Sequence, residues 1–477
     1  MFRTIPNQLT RRDILRGSTT LSALALFTAT GGCEAFRNAI ATRPVRRRVG
    51  TAAAATDVAT YDAAVAAMKA LPGNDPRNWT NQANIHLNFC PHGNWYFLPW
   101  HRAYLLYFEQ ICANLTGVDD FALPYWNWQL DRQIPAPFWA GALNHAPRSA
   151  GPNSQAGLSY IGANVIEGIM DLSNFEQFAS YESNALRNGT GGGYGELEAT
   201  PHNSIHGFVG GTMASFTSPL DPVFWCHHNM IDCMWDRWNN HLGNLNTSDT
   251  NWTQFNLSGM FVDGDGNAAE MTCGVTTVLP LITYRFDDSQ KGDGNPDETI
   301  PMVFTKEVMQ AGGNIKHQIR QTAGLGGRAV LRPGARLTRR AQLSDGMLNE
   351  SVADGDGAGR LLVRLTGVHS PANDDTYLRV FVNLPNASAA TPVSNPHYAG
   401  SVGFFTDPRR HGGMRHDHYI DISRTVARLT EAGMMAATDP IAITVINVAH
   451  EAGARAPGPV RVGKIDLITT PVAIKGQ

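Results

Sequence analysis

The hydrophobic period changes along the chain. Tyr61 to Leu71 carries apolar residues on one helical face and stops at Pro72-Gly73, a pair that breaks helices. Tyr104, Leu105, Phe108 and Ile111 repeat the helical spacing, so a helix is expected from near His101, with the loop through Pro99 carrying His92 before it. A further helix is expected near Pro201, after a flexible Gly-rich stretch at 189–195. Residues 291–345 are rich in Gly, Asp and Arg and read as an exposed linker, with Arg339-Arg340 a candidate cleavage point. Beyond them, Leu361-Leu-Val-Arg-Leu, Tyr377-Leu-Arg-Val-Phe-Val, Ile441-Ala-Ile-Thr-Val-Ile and Val460-Arg-Val-Gly-Lys-Ile are short strand-like runs between turn residues. The pattern predicts a mainly α central domain, a four-helix bundle with long loops, followed by an antiparallel β-sandwich.

Candidate chemistry lies on the helical half. One stretch places His86, His92 and His101 together; a second places His202, His206 and the pair His227-His228. A lone buried histidine is usually a hydrogen-bonded core residue, but two spaced blocks of three have the pattern of ligands. Three neutral imidazoles at each of two ions suit copper, zinc, iron or nickel, whereas magnesium, calcium or manganese would recruit carboxylates. His202 and His206 stand four residues apart, so on a helix both rings share one face. His228 and Asp232 repeat that spacing, which places the carboxylate to accept an N–H from a ligand ring and fix its tautomer.

Composition narrows the picture. The 477 residues allow up to about three domains and a substantial core. A net charge of −3 argues against a nucleic-acid or acidic-membrane partner. The six cysteines show neither paired zinc spacing nor a disulfide framework. Thr10-Arg11-Arg12-Asp13-Ile14-Leu15-Arg16 is a twin-arginine pattern, and the apolar run Leu21 to Thr28 that follows is shorter than the ~20 residues a spanning helix needs. These features predict a Tat export signal, a periplasmic or secreted bacterial location and no stable membrane insertion. Cys33 follows Thr-Gly-Gly, a poor lipid-attachment context. His411, His416 and His418 read as a solvated loop, with copper binding in transit as the alternative.

Both histidine blocks resemble the signatures of the tyrosinase and polyphenol oxidase family, type-3 dicopper proteins. Phe97, His101, Arg102 and Glu109 fall in register with the first signature; Asp221-Pro-Val-Phe, His227-His228 and Asp232 fall in register with the second. The resemblance implies that His86, His92 and His101 hold one copper and His202, His206 and His228 the other, with His227 beside the ligands. It implies O2 as co-substrate and a small phenolic substrate. Cys90 resembles the cysteine that forms a thioether to His92; the alternative is a free buried thiol. Glu198 and Asn203, flanking His202, resemble the carboxylate and amide that hold a water for deprotonating a phenol. Glu196 competes for the carboxylate role, and a helix-capping role for Glu198 is the simpler alternative. Phe216 falls near the family's gate over the substrate entrance, with Ser215, Met213 and an ordinary core role as alternatives.

Phe121-Ala-Leu-Pro-Tyr-Trp-Asn-Trp resembles the family's aromatic segment, although Gln129 follows where Asp is frequent, and Tyr284-Arg285 resembles the motif that closes the central domain. The expected division is therefore 1–45 signal and linker, 46–290 dicopper domain, 291–345 linker and 346–477 sandwich. Val380-Phe-Val-Asn and Tyr398-Ala-Gly-Ser-Val-Gly resemble plant-type C-terminal domains, which implies that this domain covers the site and keeps a latent enzyme. The implied activity is ortho-hydroxylation of monophenols and oxidation of o-diphenols to o-quinones. A catechol or o-aminophenol oxidase without efficient monophenolase activity shares the same ligands. An oxygen carrier of the hemocyanin kind and a zinc hydrolase are remoter alternatives.

Overall fold

The computed structural model describes residues 43–187, 192–287, 321–342, 360–369, 376–404, 415–436, 439–449 and 458–470. The twin-arginine segment, Cys33 and His411 lie outside them. No described helix is long and apolar enough to cross a membrane.

The central domain opens with a short strand, β1 (Val45–Arg46), and its main helices are α1 (Ala55–Ala70), α2 (Trp79–Phe89), α3 (Phe97–Thr116), α4 (Asn203–Val209) and α5 (Val223–Asp236). Asn78 caps α2 by accepting from the N–H of Thr80. In α3 most residues are buried on every side, which marks it as the central helix of the bundle. It ends at Gly117 with φ 70°, a left-handed position that glycine takes without steric cost. The helix starts at Phe97 rather than near His101, because Pro99 falls in its first turn, where a missing N–H costs nothing. β1 pairs in parallel with β2 (Arg285–Phe286), so the two ends of the domain close on each other.

Inside that closure lies a buried ionic network. Arg46 makes two parallel bonds to Glu109 at 2.8 Å and reaches Asn229 at 2.8 Å and Asp232 at 2.7 Å. Its guanidinium lies 3.4 Å from the ring centroid of Tyr284, whose hydroxyl donates to Asp232 at 2.5 Å. Arg102 donates to the other Asp232 oxygen and stacks on Trp235. This network corrects the sequence reading of Asp232. The carboxylate faces two guanidiniums and a phenol, and the Nδ1 of His228 has no hydrogen-bond partner among the described residues.

The C-terminal domain is two antiparallel sheets. Its strands are β3 (Gln321–Gly326), β4 (Ala329–Leu331), β5 (Arg336–Ala341), β6 (Arg360–His369), β7 (Thr376–Val382), β8 (Tyr398–Val402), β9 (Arg415–Asp421), β10 (Ile441–Ala449), β11 (Val460–Val462) and β12 (Lys464–Thr470). One sheet runs β8-β7-β10-β5; the other runs β3-β12-β6-β11-β4, with β9 also on β6. The domain therefore begins inside the span read as linker, and Arg339-Arg340 lie in β5, paired with Ile443 and Ala442 of β10. A ladder strand is no exposed cleavage loop.

Both faces of the four-stranded sheet are buried. Leu378, Val380, Val382, Ile443 and Val445 fill the sandwich core, while Tyr377, Phe381, Tyr398, Ile446 and Val448 pack on the central domain. Two buried faces explain why β7 and β10 read as nearly unbroken apolar runs. His418 is buried in β9 and stacked on Tyr194 at 4.8 Å, so it belongs to this seam and not to a solvated loop.

Replacing Arg46 with Ala leaves Glu109 and Asp232 buried with less compensation. The expected loss of stability is about 3–5 kcal/mol, read from denaturant unfolding.

Candidate metal centre

The histidines come from separate elements. His86 sits in the last turn of α2, His92 on the loop before α3, and His101 in the second turn of α3. His202 ends a π-helical turn, Glu198–His202, that runs into α4; His206 follows on α4, and His228 lies on α5. The structure gathers them into two buried groups, one of His86, Cys90, His92 and His101, the other of His202, His206, His227 and His228. The groups face each other, with the His101 and His228 rings stacked at 4.2 Å and 14°.

Five rings are oriented by an oxygen at Nδ1. His86 meets the carbonyl of Phe216 at 2.9 Å, His101 that of Phe97 at 2.8 Å, and His206 that of Met213 at 2.6 Å. His92 meets Glu198 Oε1 at 2.9 Å, and His202 meets the side-chain oxygen of Asn203 at 2.8 Å. A carbonyl only accepts, so Nδ1 carries the proton and Nε2 presents a lone pair. The Nε2 of His228 lies 3.1 Å from that of His206 and 3.3 Å from that of His202. Ligand atoms bound at ~2.0–2.1 Å to one tetrahedral ion are spaced about this far apart. Burial, followed by the neighbouring imidazoles, pushes the His92, His202 and His228 pKa values well below the usual range. Burial also brings His101 and His206 down to about 3. Neutral lone pairs converging in a closed space are the arrangement a cation resolves, so the residues fit a metal pair.

Other predicted residues fall as follows. Cys90 Sγ is 3.2 Å from His92 Nε2 and 3.3 Å from His101 Nε2, and burial pushes its thiol pKa up. His227 stacks on His202 at 5.3 Å. Phe216 sets its ring edge-to-face on His92 at 5.1 Å, and the Arg187 guanidinium lies 4.7 Å from the Phe216 centroid.

Glu198 is wholly buried and accepts from His92, from the N–H of Gly93 at 2.9 Å and from the Ser180 hydroxyl. Burial raises its carboxyl pKa, while the Ser180 hydroxyl and the Gly93 N–H lower it. Its rival Glu196 points elsewhere, accepting from Thr200 at 3.2 Å and from the N–H of Asp421 in β9.

Three contributors had escaped the sequence reading. Ser180 and the Phe216 carbonyl carry no sequence signal. Gly403 closes the Tyr398-Ala-Gly-Ser-Val-Gly run that was noted only as a resemblance. Its N–H donates to Ala199 at 2.6 Å, and its carbonyl accepts from the Asn203 amide at 3.3 Å. A Cβ at Gly403 would lie 2.7 Å from the Ser204 nitrogen, so only glycine fits this approach.

An α-helical bundle presenting two histidine groups defines a binuclear metal protein. Residues 63–167 and 140–241 match the family model "Common central domain of tyrosinase", and this domain of the chain belongs to the tyrosinase family. The chain is 29% identical over 286 residues to tyrosinase HcTyr1 of Hahella sp. (strain CCB-MM4), covering 47% of this chain and 59% of that protein. It is 33% identical over 258 residues to a chloroplastic polyphenol oxidase of Malus domestica, covering 44% and 43%. The chain thus spans about half the length of the curated relatives it matches. Latent apple tyrosinase shares the fold at 20% identity and a TM-score of 0.64, over 90% of this chain and 97% of that one. A recombinant latent aurone synthase does so at a TM-score of 0.66, also at 20% identity, covering 90% of each chain.

Glu196 provides a pH test. Its carboxyl is pushed up to about 8, by burial first and by the Asp421 charge second. The folded chain then holds a proton that the unfolded chain releases above pH 4.5, so this contribution to stability falls from there to about pH 8 and is flat beyond. Denaturant midpoints should show Glu196→Gln losing that slope between about pH 5 and about pH 8.

Proposed function

We propose that the chain is a tyrosinase-like phenol oxidase that uses O2 to hydroxylate monophenols at the ortho position and to oxidise o-diphenols to o-quinones. The observation that carries this reading is the pair of facing imidazole groups, His86, His92 and His101 against His202, His206 and His228. Such donors favour copper over oxygen-seeking ions. Two copper ions, when bound, supply the dioxygen and electron chemistry. The polypeptide supplies position, exclusion of water and a proton path. We assign Glu198 and Asn203 to hold the water that accepts the phenol proton, since a phenol of pKa ~10 benefits from a positioned base at neutral pH. Cys90, with its sulfur against His92, is assigned the thioether that fixes that ring. Phe216, resting on His92 and His86, is assigned the gate.

We further infer that the sandwich covers the site and keeps the chain latent. The docking of Gly403 on the turn that carries His202 supports this. The proposed division makes residues 45–287 the catalytic domain and residues 321–470 its cover. The twin-arginine segment supports Tat export to the periplasm or beyond.

A second reading, catechol or o-aminophenol oxidation without efficient monophenol hydroxylation, is favoured by one observation. The Glu198 oxygens already accept from His92, Gly93 and Ser180, and Asn203 is bonded to His202 and Gly403.

Oxygen uptake by the copper-supplied chain, with the sandwich released by mild detergent, should be seen with both a monophenol and a catechol. Uptake with a catechol alone selects the second reading; uptake with neither, nor with an o-aminophenol, sinks both. Glu198→Ala should lower monophenol turnover by about 10²-fold or more, and catechol turnover less. A proportional fall in both rates would leave Glu198 only a ring-orienting role. Gly403→Val should raise turnover in the full chain without detergent, and an unchanged rate would count against shielding.

A further inference from the structure

We propose that Ser180 is a positioning residue for the first metal group, acting on His92 through Glu198. The Ser180 hydroxyl is wholly buried and reaches Glu198 Oε2, and the N–H of Gly195 donates back to it at 3.2 Å. The same hydroxyl lies 2.5 Å from the carbonyl of Ala179. Its single proton serves one acceptor at a time, and the Glu198 oxygen lies closer to the hydroxyl than the Ala179 carbonyl does. Glu198 Oε1 meanwhile accepts from His92 Nδ1 and from the N–H of Gly93. Ser180 and Gly93 thus hold the two ends of the carboxylate that keeps the His92 ring in place.

The other first-group rings have less need of such a brace. His86 and His101 stand on helices, and backbone carbonyls hold their Nδ1 atoms. His92 stands on the connection between α2 and α3, and its Nδ1 acceptor is a side chain with torsional freedom of its own. An orienting acceptor fixes a ring only if the acceptor is itself fixed. Ser180 supplies this from a segment that carries no ligand, held by its bridge to Tyr194. The Ser180–Glu198–His92 series therefore aims Nε2 at the ion and raises its basicity, as carboxylate–histidine pairs do at metal sites.

The proposal rests on reading His92 as a copper ligand, and binding, not turnover, tests it. Cu(I) affinity is measured by competition with a chromophoric chelator. A His206→Gln background leaves only the first group whole, and a His101→Gln background leaves only the second. Ser180→Ala should weaken the first group by about 10–100-fold and leave the second unchanged, while Ser180→Thr, which keeps the hydroxyl, should restore the first. In the metal-free chain labelled with 15N-histidine, the His92 Nδ1–H signal should be protected from exchange, and Ser180→Ala should lose that protection. An unaltered His92 signal in Ser180→Ala overturns the proposal. An equal loss of affinity in both groups also overturns it, because general loosening has no preference between them. If the unaltered chain binds no copper, the phenol oxidase reading fails and the imidazole signal alone decides the role of Ser180.

Discussion

Arg46 is the constraint on which the geometry of the metal centre depends. Its guanidinium is removed from water between Glu109 on α3 and Asp232 on α5, the helices that carry His101 and His228. Stripping water from three charges is costly, and only near-ideal geometry offsets that cost. The paired bonds to Glu109 and the ring of Tyr284 supply that geometry. Sliding α3 along α5 by one turn, about 5.4 Å, would break every one of these contacts. The same slide would unstack His101 from His228. A charged cluster that contributes little net stability can thereby contribute register, and register decides whether two imidazole groups face each other.

Around that register, polarity is distributed with economy. Burial makes the imidazoles poor bases, which suits ligands that must stay neutral. Backbone carbonyls orient His86, His101 and His206, so those rings depend on the fold and on no single side chain. His92 and His202 depend on Glu198 and Asn203, the side chains assigned to the phenol proton. Under the proposed assignment, orientation and base chemistry compete for the same two residues, and the seam with the sandwich adds Gly403 to the competition.

Legibility in the sequence followed the range of the interactions. The two histidine groups were readable because the spacing within each block is local, and Glu198 was preferred to Glu196 because the spacing before His202 resembles the plant-type pattern. The fate of Asp232 was not readable: its partner Arg46 lies 186 positions away, and no local pattern announces a contact of that range. β5 was taken for linker because Arg336-Leu-Thr-Arg-Arg-Ala has little apolar alternation; the strand exists through its pairing with β10. The start of α3 was misplaced because Pro99 reads as a breaker, although the first turn accepts it. β7 and β10 were readable as strands from their apolar runs, but burial of both their faces depends on the central domain packed against one of them.

That second face sets how the two domains can part. Tyr377, Phe381, Tyr398, Ile446 and Val448 bury an apolar surface against the central domain. Between it and the metal groups lie specific polar contacts, from Ser401 and Gly403 to Thr200, Ala199 and Asn203. Apolar burial is non-directional and survives small shifts, whereas hydrogen bonds weaken steeply with displacement. A slight rocking of the sandwich would therefore release Asn203 and the π-helical turn while most of the apolar contact persists. Under the proposed shielding, access to the site need not require the domains to separate, and the sandwich could regulate the chemistry beneath it while staying attached.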